Sequence, residues 1–150
     1  MKCISKIAVL LIAVILAGCY SAEDAHKGLL GSWEYFGSKS GRLVGCIEHG
    51  ENKRVFSFLA GNDKTVHQFA GLWYPLRGLR IQHHVGKALV DDNRKTFPLE
   101  EATGWRRVYF NISSLSQNSF TMHDRSGDKF KASRVESCDS FLDKFDSPVS

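Results

Sequence analysis

The residues best equipped for chemistry are two adjacent histidines, His83 and His84, and a set of basic side chains among aromatic neighbours. Imidazole binds metals and moves protons near neutral pH, so a histidine pair invites both readings. On a strand, however, successive side chains point to opposite faces, which keeps His83 and His84 from gripping one ion together. A metal site would need one of them with His67 or His123 on an adjacent strand. The favoured expectation is simpler: one histidine in solvent, the other packed or hydrogen-bonded inside, with no metal and no cofactor. The basic set is Arg77, Arg80, Lys87, Arg106 and Arg107, near Trp73, Tyr74 and Trp105. From it, Trp73, Tyr74, Arg80, Trp105 and Arg107 are the candidate ligand-binding residues. They would form a mouth that receives an acidic headgroup or an acidic partner surface; the alternative is a solvated strand face. The sequence holds no Gly-x-Ser-x-Gly elbow, no His-Glu-x-x-His and no phosphate-cradling glycine loop. No catalytic residue is assigned, and the chain is not expected to be an enzyme.

The N-terminus supplies an address. Lys2 and Lys6 precede an apolar run from Ile7 to Leu16, followed by the small residues Ala17 and Gly18. At ~1.5 Å per residue this run is too short to cross a hydrocarbon core of ~30 Å. The tetrad Leu16-Ala17-Gly18-Cys19 resembles the lipobox of bacterial lipoproteins. That resemblance implies cleavage before Cys19, acylation of its thiol, and anchorage in a lipid bilayer. Tyr20 in place of an aspartate leans toward the outer membrane, facing the periplasm, over the inner one. On the same reading Cys3 leaves with the signal and Cys19 is consumed by lipid. Cys46 and Cys138 then remain as one disulfide in an oxidising compartment, the alternative being two free thiols. Removing two lysines and no acid takes the formal net charge from +4 to +2. So weak a bias, together with export, excludes nucleic acid as a partner.

These residues must be positioned by short strands. Trp33–Phe36, Arg42–Glu48, Arg54–Ala60, Thr65–Ala70, Leu72–Tyr74, Leu79–Val85, Arg106–Ile112, Ser119–His123 and Lys129–Val135 read as strands between turn signals such as Gly61-Asn62-Asp63. Pro75 should block continuation of the ladder. Ala88-Leu89-Val90 reads as a short strand, and 91–95 as a polar loop. Tyr20 to Lys27 is small and polar, and reads as a tether. Asp139–Asp146 reads as a helical turn or two, with Phe141, Leu142 and Phe145 on one side to cover an open barrel end. About eight strands without a convincing helix between them mean an all-β barrel or sandwich.

Gly31-Ser32-Trp33 is similar to the Gly-x-Trp opening of lipocalins and their smaller bacterial relatives. Ile112 to Met122 resembles the hairpin of bacterial lipocalin-like domains that leads into the penultimate strand, and Gly71-Leu72-Trp73-Tyr74 their mid-barrel strand. The resemblance implies an eight-stranded antiparallel up-and-down barrel with Trp33 buried at its closed end and Arg134 as candidate partner. Trp73 and Trp105 are expected nearer the surface. The organisation is then a signal peptide over 1–18, a lipidated N-terminus and tether over 19–30, the barrel over 31–138 and a tail over 139–150. The leading function is an envelope-anchored module that binds a small apolar or amphipathic ligand, its cavity lined from three Trp, four Tyr and ten Phe. The alternative is a protein–protein module with a filled barrel: an envelope inhibitor, an immunity protein or an accessory subunit. An open interior cavity favours the first, a filled one the second.

Overall fold

The computed structural model describes residues 21–61, 65–87 and 99–146. The signal, Cys19 and Tyr20, the turn residues Asn62 and Asp63, the proposed strand 88–90 with the loop 91–95, and the side chain of Phe145 lie outside the described residues.

Eight strands close into one antiparallel barrel in simple up-and-down order. They are β1 (Gly31–Gly37), β2 (Leu43–His49), β3 (Arg54–Ala60), β4 (Val66–Leu76), β5 (Arg80–Lys87), β6 (Thr103–Leu115), β7 (Ser119–His123) and β8 (Lys129–Val135). Closure comes from β1 pairing with β8, Trp33 opposite Arg134. The period of two then sorts side chains. Trp33, Tyr35, Ile47, Val55, Trp73, Ile81, Val85, Ile112, Phe120 and Met122 form the interior core. Gly31 opens β1 at a φ of +100°, and a Cβ there would meet the guanidinium of Arg134 at 2.8 Å. The left-handed φ is what calls for glycine there.

Two expectations about β4 are corrected. The two segments read as Thr65–Ala70 and Leu72–Tyr74 merge into one strand that begins at Val66, and Pro75 lies within it, paired with Ile81. The missing N–H costs little there, because β3 ends at Arg54, opposite Leu72, and leaves that edge of β4 without a neighbour. Gly71, in mid-strand, abuts the carbonyl oxygen of His84, so any side chain would force β4 and β5 apart.

The segment expected to be a tether is in part a helix, α1 (Ala22–Leu29). Ser21 caps it, its side chain accepting from the Asp24 amide at 3.0 Å while the Asp24 carboxylate reaches back to the Ser21 amide. Ala25 and Leu29, one turn apart, are fully buried. Leu29 joins the interior core beside Trp33, so α1 stops one end of the barrel.

The C-terminal helix α2 (Asp139–Asp146) forms as expected but does not cover an open end. Phe141 and Leu142 pack with Cys46, Phe58 and Cys138 on the outer wall of β2 and β3, and Lys144 pairs with Glu34 of β1 at 2.9 Å. This explains why β3 is apolar on both faces: Val55 looks inward, while Phe56 and Phe58 meet the cluster under α2. Cys46 and Cys138 form the expected disulfide, with Cα atoms 5.7 Å apart, which fastens the start of α2 to β2.

Candidate functional site

The barrel is sealed at one end and hollow toward the other. At the sealed end Trp33 donates its indole N–H to the Leu29 carbonyl at 2.9 Å and meets the edge of Phe120. The Arg134 guanidinium lies 4.0 Å from the Trp33 ring centre. Trp73 is as buried as Trp33, contrary to the expectation that it lies nearer the surface. Its strand continues past Pro75, and α1 covers it: His26 stacks on its ring at 4.9 Å, and its N–H is donated to the Gly50 carbonyl.

Between the sealed end and the mouth lies a cavity of about 280 Å³. Ile47, Leu59, Val85, Val108, Phe110 and Met122 are among its apolar walls; Tyr35, Ser57 and His83 are its polar groups. Burial pushes the Tyr35 hydroxyl pKa above its ordinary value, so it stays protonated and hydrogen-bonded with Ser57. Toward the mouth the lining becomes more exposed and charged, with Phe69, Phe130 and Asp124 half-buried and Arg106 exposed. Asp124 is committed to the β7–β8 turn. Its carboxylate accepts from the Ser126 hydroxyl and amide and from the Asp128 amide, bonds that lower its pKa. The Arg106 guanidinium lies over the Phe69 ring at 4.6 Å, its one interaction among the described residues.

His83 and His84 part as strand geometry demands. His84 is on the outer wall, 4.9 Å from the Trp105 ring. His83 is inside and buried, and its Nε2 is 2.9 Å from Nε2 of His49. Its partner is therefore neither His67 nor His123. His49 escapes sequence reading because the following Gly50-Glu51-Asn52 looks like a turn, yet it shares β2's inward face with Ile47. His49 Nδ1 is 3.0 Å from the Leu29 carbonyl. Complete burial pushes the His49 pKa down to about 4, and burial with the neighbouring His49 holds His83 well below its ordinary value. Both rings are therefore neutral at pH 7.

None of the five candidate ligand residues lines the cavity. Trp73 is inside, but at the sealed end. Tyr74, Arg80, Trp105 and Arg107 occupy the alternate positions of β4, β5 and β6 and face outward, with Tyr74 and Trp105 conspicuously exposed. Arg106 is the arginine that turns inward. The row Arg106, Val108, Phe110, Ile112 carries that information in its alternation.

No family model matches the sequence, and no curated protein matches it. Two solved structures are similar in fold. One is a lipocalin-like protein from Bacteroides uniformis ATCC 8492, at 16% identity and a TM-score of 0.46, covering 72% of this chain and 99% of that one. The other is an uncharacterized protein from Bacteroides eggerthii DSM 20697, at 15% identity and a TM-score of 0.42, covering 71% and 98%. At such values the likeness carries no argument about function, and the barrel rests on its own closed strand pairing.

Proposed function

We propose that the barrel binds one small apolar or amphipathic molecule, its body in the cavity and an anionic head, where present, against Arg106. One observation carries this reading: a cavity of about 280 Å³ with mainly apolar walls, open toward a mouth that holds a cation without a carboxylate partner among the described residues. At ~30 Å³ for a water-sized group, such a volume takes roughly nine of them, the scale of a ten-carbon chain. A hollow interior also weighs against the alternative of a filled barrel acting only as a protein-binding platform. Apolar walls supply affinity through area removed from water, and the few polar groups set orientation.

The leader supports the companion proposal that acylated Cys19 holds the domain at the bacterial envelope, on the periplasmic side of the outer membrane. Its support is the lipobox tetrad and Tyr20.

Calorimetric titration with decanoate and 1-decanol tests the site. Wild-type protein should bind both at one site per chain. Arg106→Gln should weaken decanoate severalfold and leave 1-decanol unchanged. Absence of binding by either would overturn the reading.

A further inference from the structure

The two buried histidines have a directed hydrogen-bond pattern. A carbonyl oxygen only accepts, so the 3.0 Å contact of His49 Nδ1 with the Leu29 carbonyl, which also accepts from the Trp33 indole, requires the His49 proton on Nδ1, since two facing lone pairs would repel. Neutral His49 then offers a bare Nε2, and the contact of 2.9 Å with His83 requires the proton on His83 Nε2. That leaves Nδ1 of His83 as a lone-pair acceptor. It has no hydrogen bond among the described residues, yet no side-chain nitrogen or oxygen sealed from solvent among them lacks a partner. His83 is one of the side chains that line the cavity. The tautomer is thus set by a backbone carbonyl at the end of α1, two side chains away.

We propose that Nδ1 of His83 is a fixed hydrogen-bond acceptor on the cavity wall, and that it selects apolar ligands carrying a hydroxyl or N–H donor on their buried end. This rests on the cavity-binding reading and narrows it to a ligand class. A site built around a buried acceptor discriminates against an analogue without the donor, because the acceptor is then desolvated and unpaired. The acceptor cannot adapt by switching tautomer without breaking the bond to His49 or to Leu29. An imidazole free of such a chain could present either a donor or an acceptor; this one presents an acceptor only.

The test compares 2-naphthol with naphthalene, a pair differing only in the donor, by calorimetric titration. Both are measured on wild-type protein and on the His49→Leu/His83→Leu double variant. Replacing both histidines by apolar side chains avoids stranding one of them without its partner. The preference for 2-naphthol over naphthalene should be about three- to tenfold greater in wild type than in the double variant. An equal preference in the two proteins would overturn the proposal while leaving the cavity as a binding site. Binding of neither probe by wild type would remove the cavity reading and this proposal with it. Long-range proton–nitrogen correlation spectra of wild-type protein give a second readout, independent of the variant's folding. They should show Nδ1 of His83 unprotonated in the free protein and perturbed by 2-naphthol but not by naphthalene. A protonated Nδ1, or an equal response to both probes, would overturn it.

Discussion

Arg134 faces Trp33 across the seam where β8 closes on β1, its guanidinium 4.0 Å from the indole ring centre. The same guanidinium donates to the carbonyls of Gln117, Leu30 and Gly28 at 2.7, 2.6 and 3.2 Å, while the indole N–H takes Leu29. Carbonyls at a helix C-terminus lack partners within the helix and favour a cation. This pair therefore joins the end of α1, the first and last strands, and the β6–β7 turn.

Trp33→Ala should cost ~3–5 kcal/mol, the range for emptying a buried aromatic site. Trp73→Ala should cost a similar amount, since its ring is equally buried. Trp105→Ala should cost less than ~1 kcal/mol, because that ring is 42% exposed. Arg134→Lys should lose ~1–3 kcal/mol, because an ammonium cannot reproduce the planar fork. Urea unfolding at unchanged slope reads all four. A wild-type midpoint for Trp33→Ala would show that the sealed end is not built on this pair.

The disulfide spans a sequence separation of 92, for which loop-closure entropy gives ~4–5 kcal/mol. Cys46→Ala/Cys138→Ala should lose much of that stability, and amide exchange should show α2 opening before the barrel. An unchanged urea midpoint would mean that the apolar cluster under α2 suffices without the bond.

The buried histidines predict a pH dependence. Unfolded, each ring titrates near its ordinary value of 6.5; folded, His49 titrates at about 4 and His83 well below 6.5. Between those values the unfolded chain binds protons that the native chain refuses, so stability rises with pH there. The contribution is complete above pH ~6.5 and is lost as pH falls toward 4, His49 alone accounting for on the order of 3 kcal/mol. His49→Leu/His83→Leu should flatten the slope of stability between pH 6.5 and 4. An equally steep slope in the variant would place the acid sensitivity elsewhere.

Much of the barrel is legible in the sequence because alternation and turn residues coincide along most strands, and because Gly31, Trp33 and Arg134 meet at one seam. The departures have physical causes. Pro75 reads as a strand end, but its position beyond β3 leaves no ladder bond to lose. α1 is short and mostly polar, with Ala25 and Leu29 as its buried residues, and Leu29 lies two residues beyond the polar run that ends at Lys27. Its signal is the capping pattern from Ser21 to Asp24. The candidate ligand residues lie outside the cavity for a different reason: aromatic and basic side chains cluster on both faces of β4 to β6. Arg106, not Arg107, shares the inward row of Val108, Phe110 and Ile112.

Cys19→Ala should abolish fatty-acid incorporation and leave the precursor uncleaved. Metabolic labelling with a tagged fatty acid, followed by gel fluorescence, checks this. A variant that still takes up label would remove the case for the lipid anchor.

The cavity itself is tested most directly by filling it. Val108 lines the hollow between Phe110 and Arg106 along β6, so Val108→Trp places an indole where a ligand body would lie. Decanoate is titrated into wild-type and Val108→Trp protein by calorimetry, with thermal unfolding run alongside to verify that the variant is folded. We expect one site per chain in wild type and at least a tenfold loss of affinity in a variant that still unfolds cooperatively. Equal binding by the folded variant would place the ligand on the outer wall and contradict an interior site; no binding by wild type would contradict a binding function altogether.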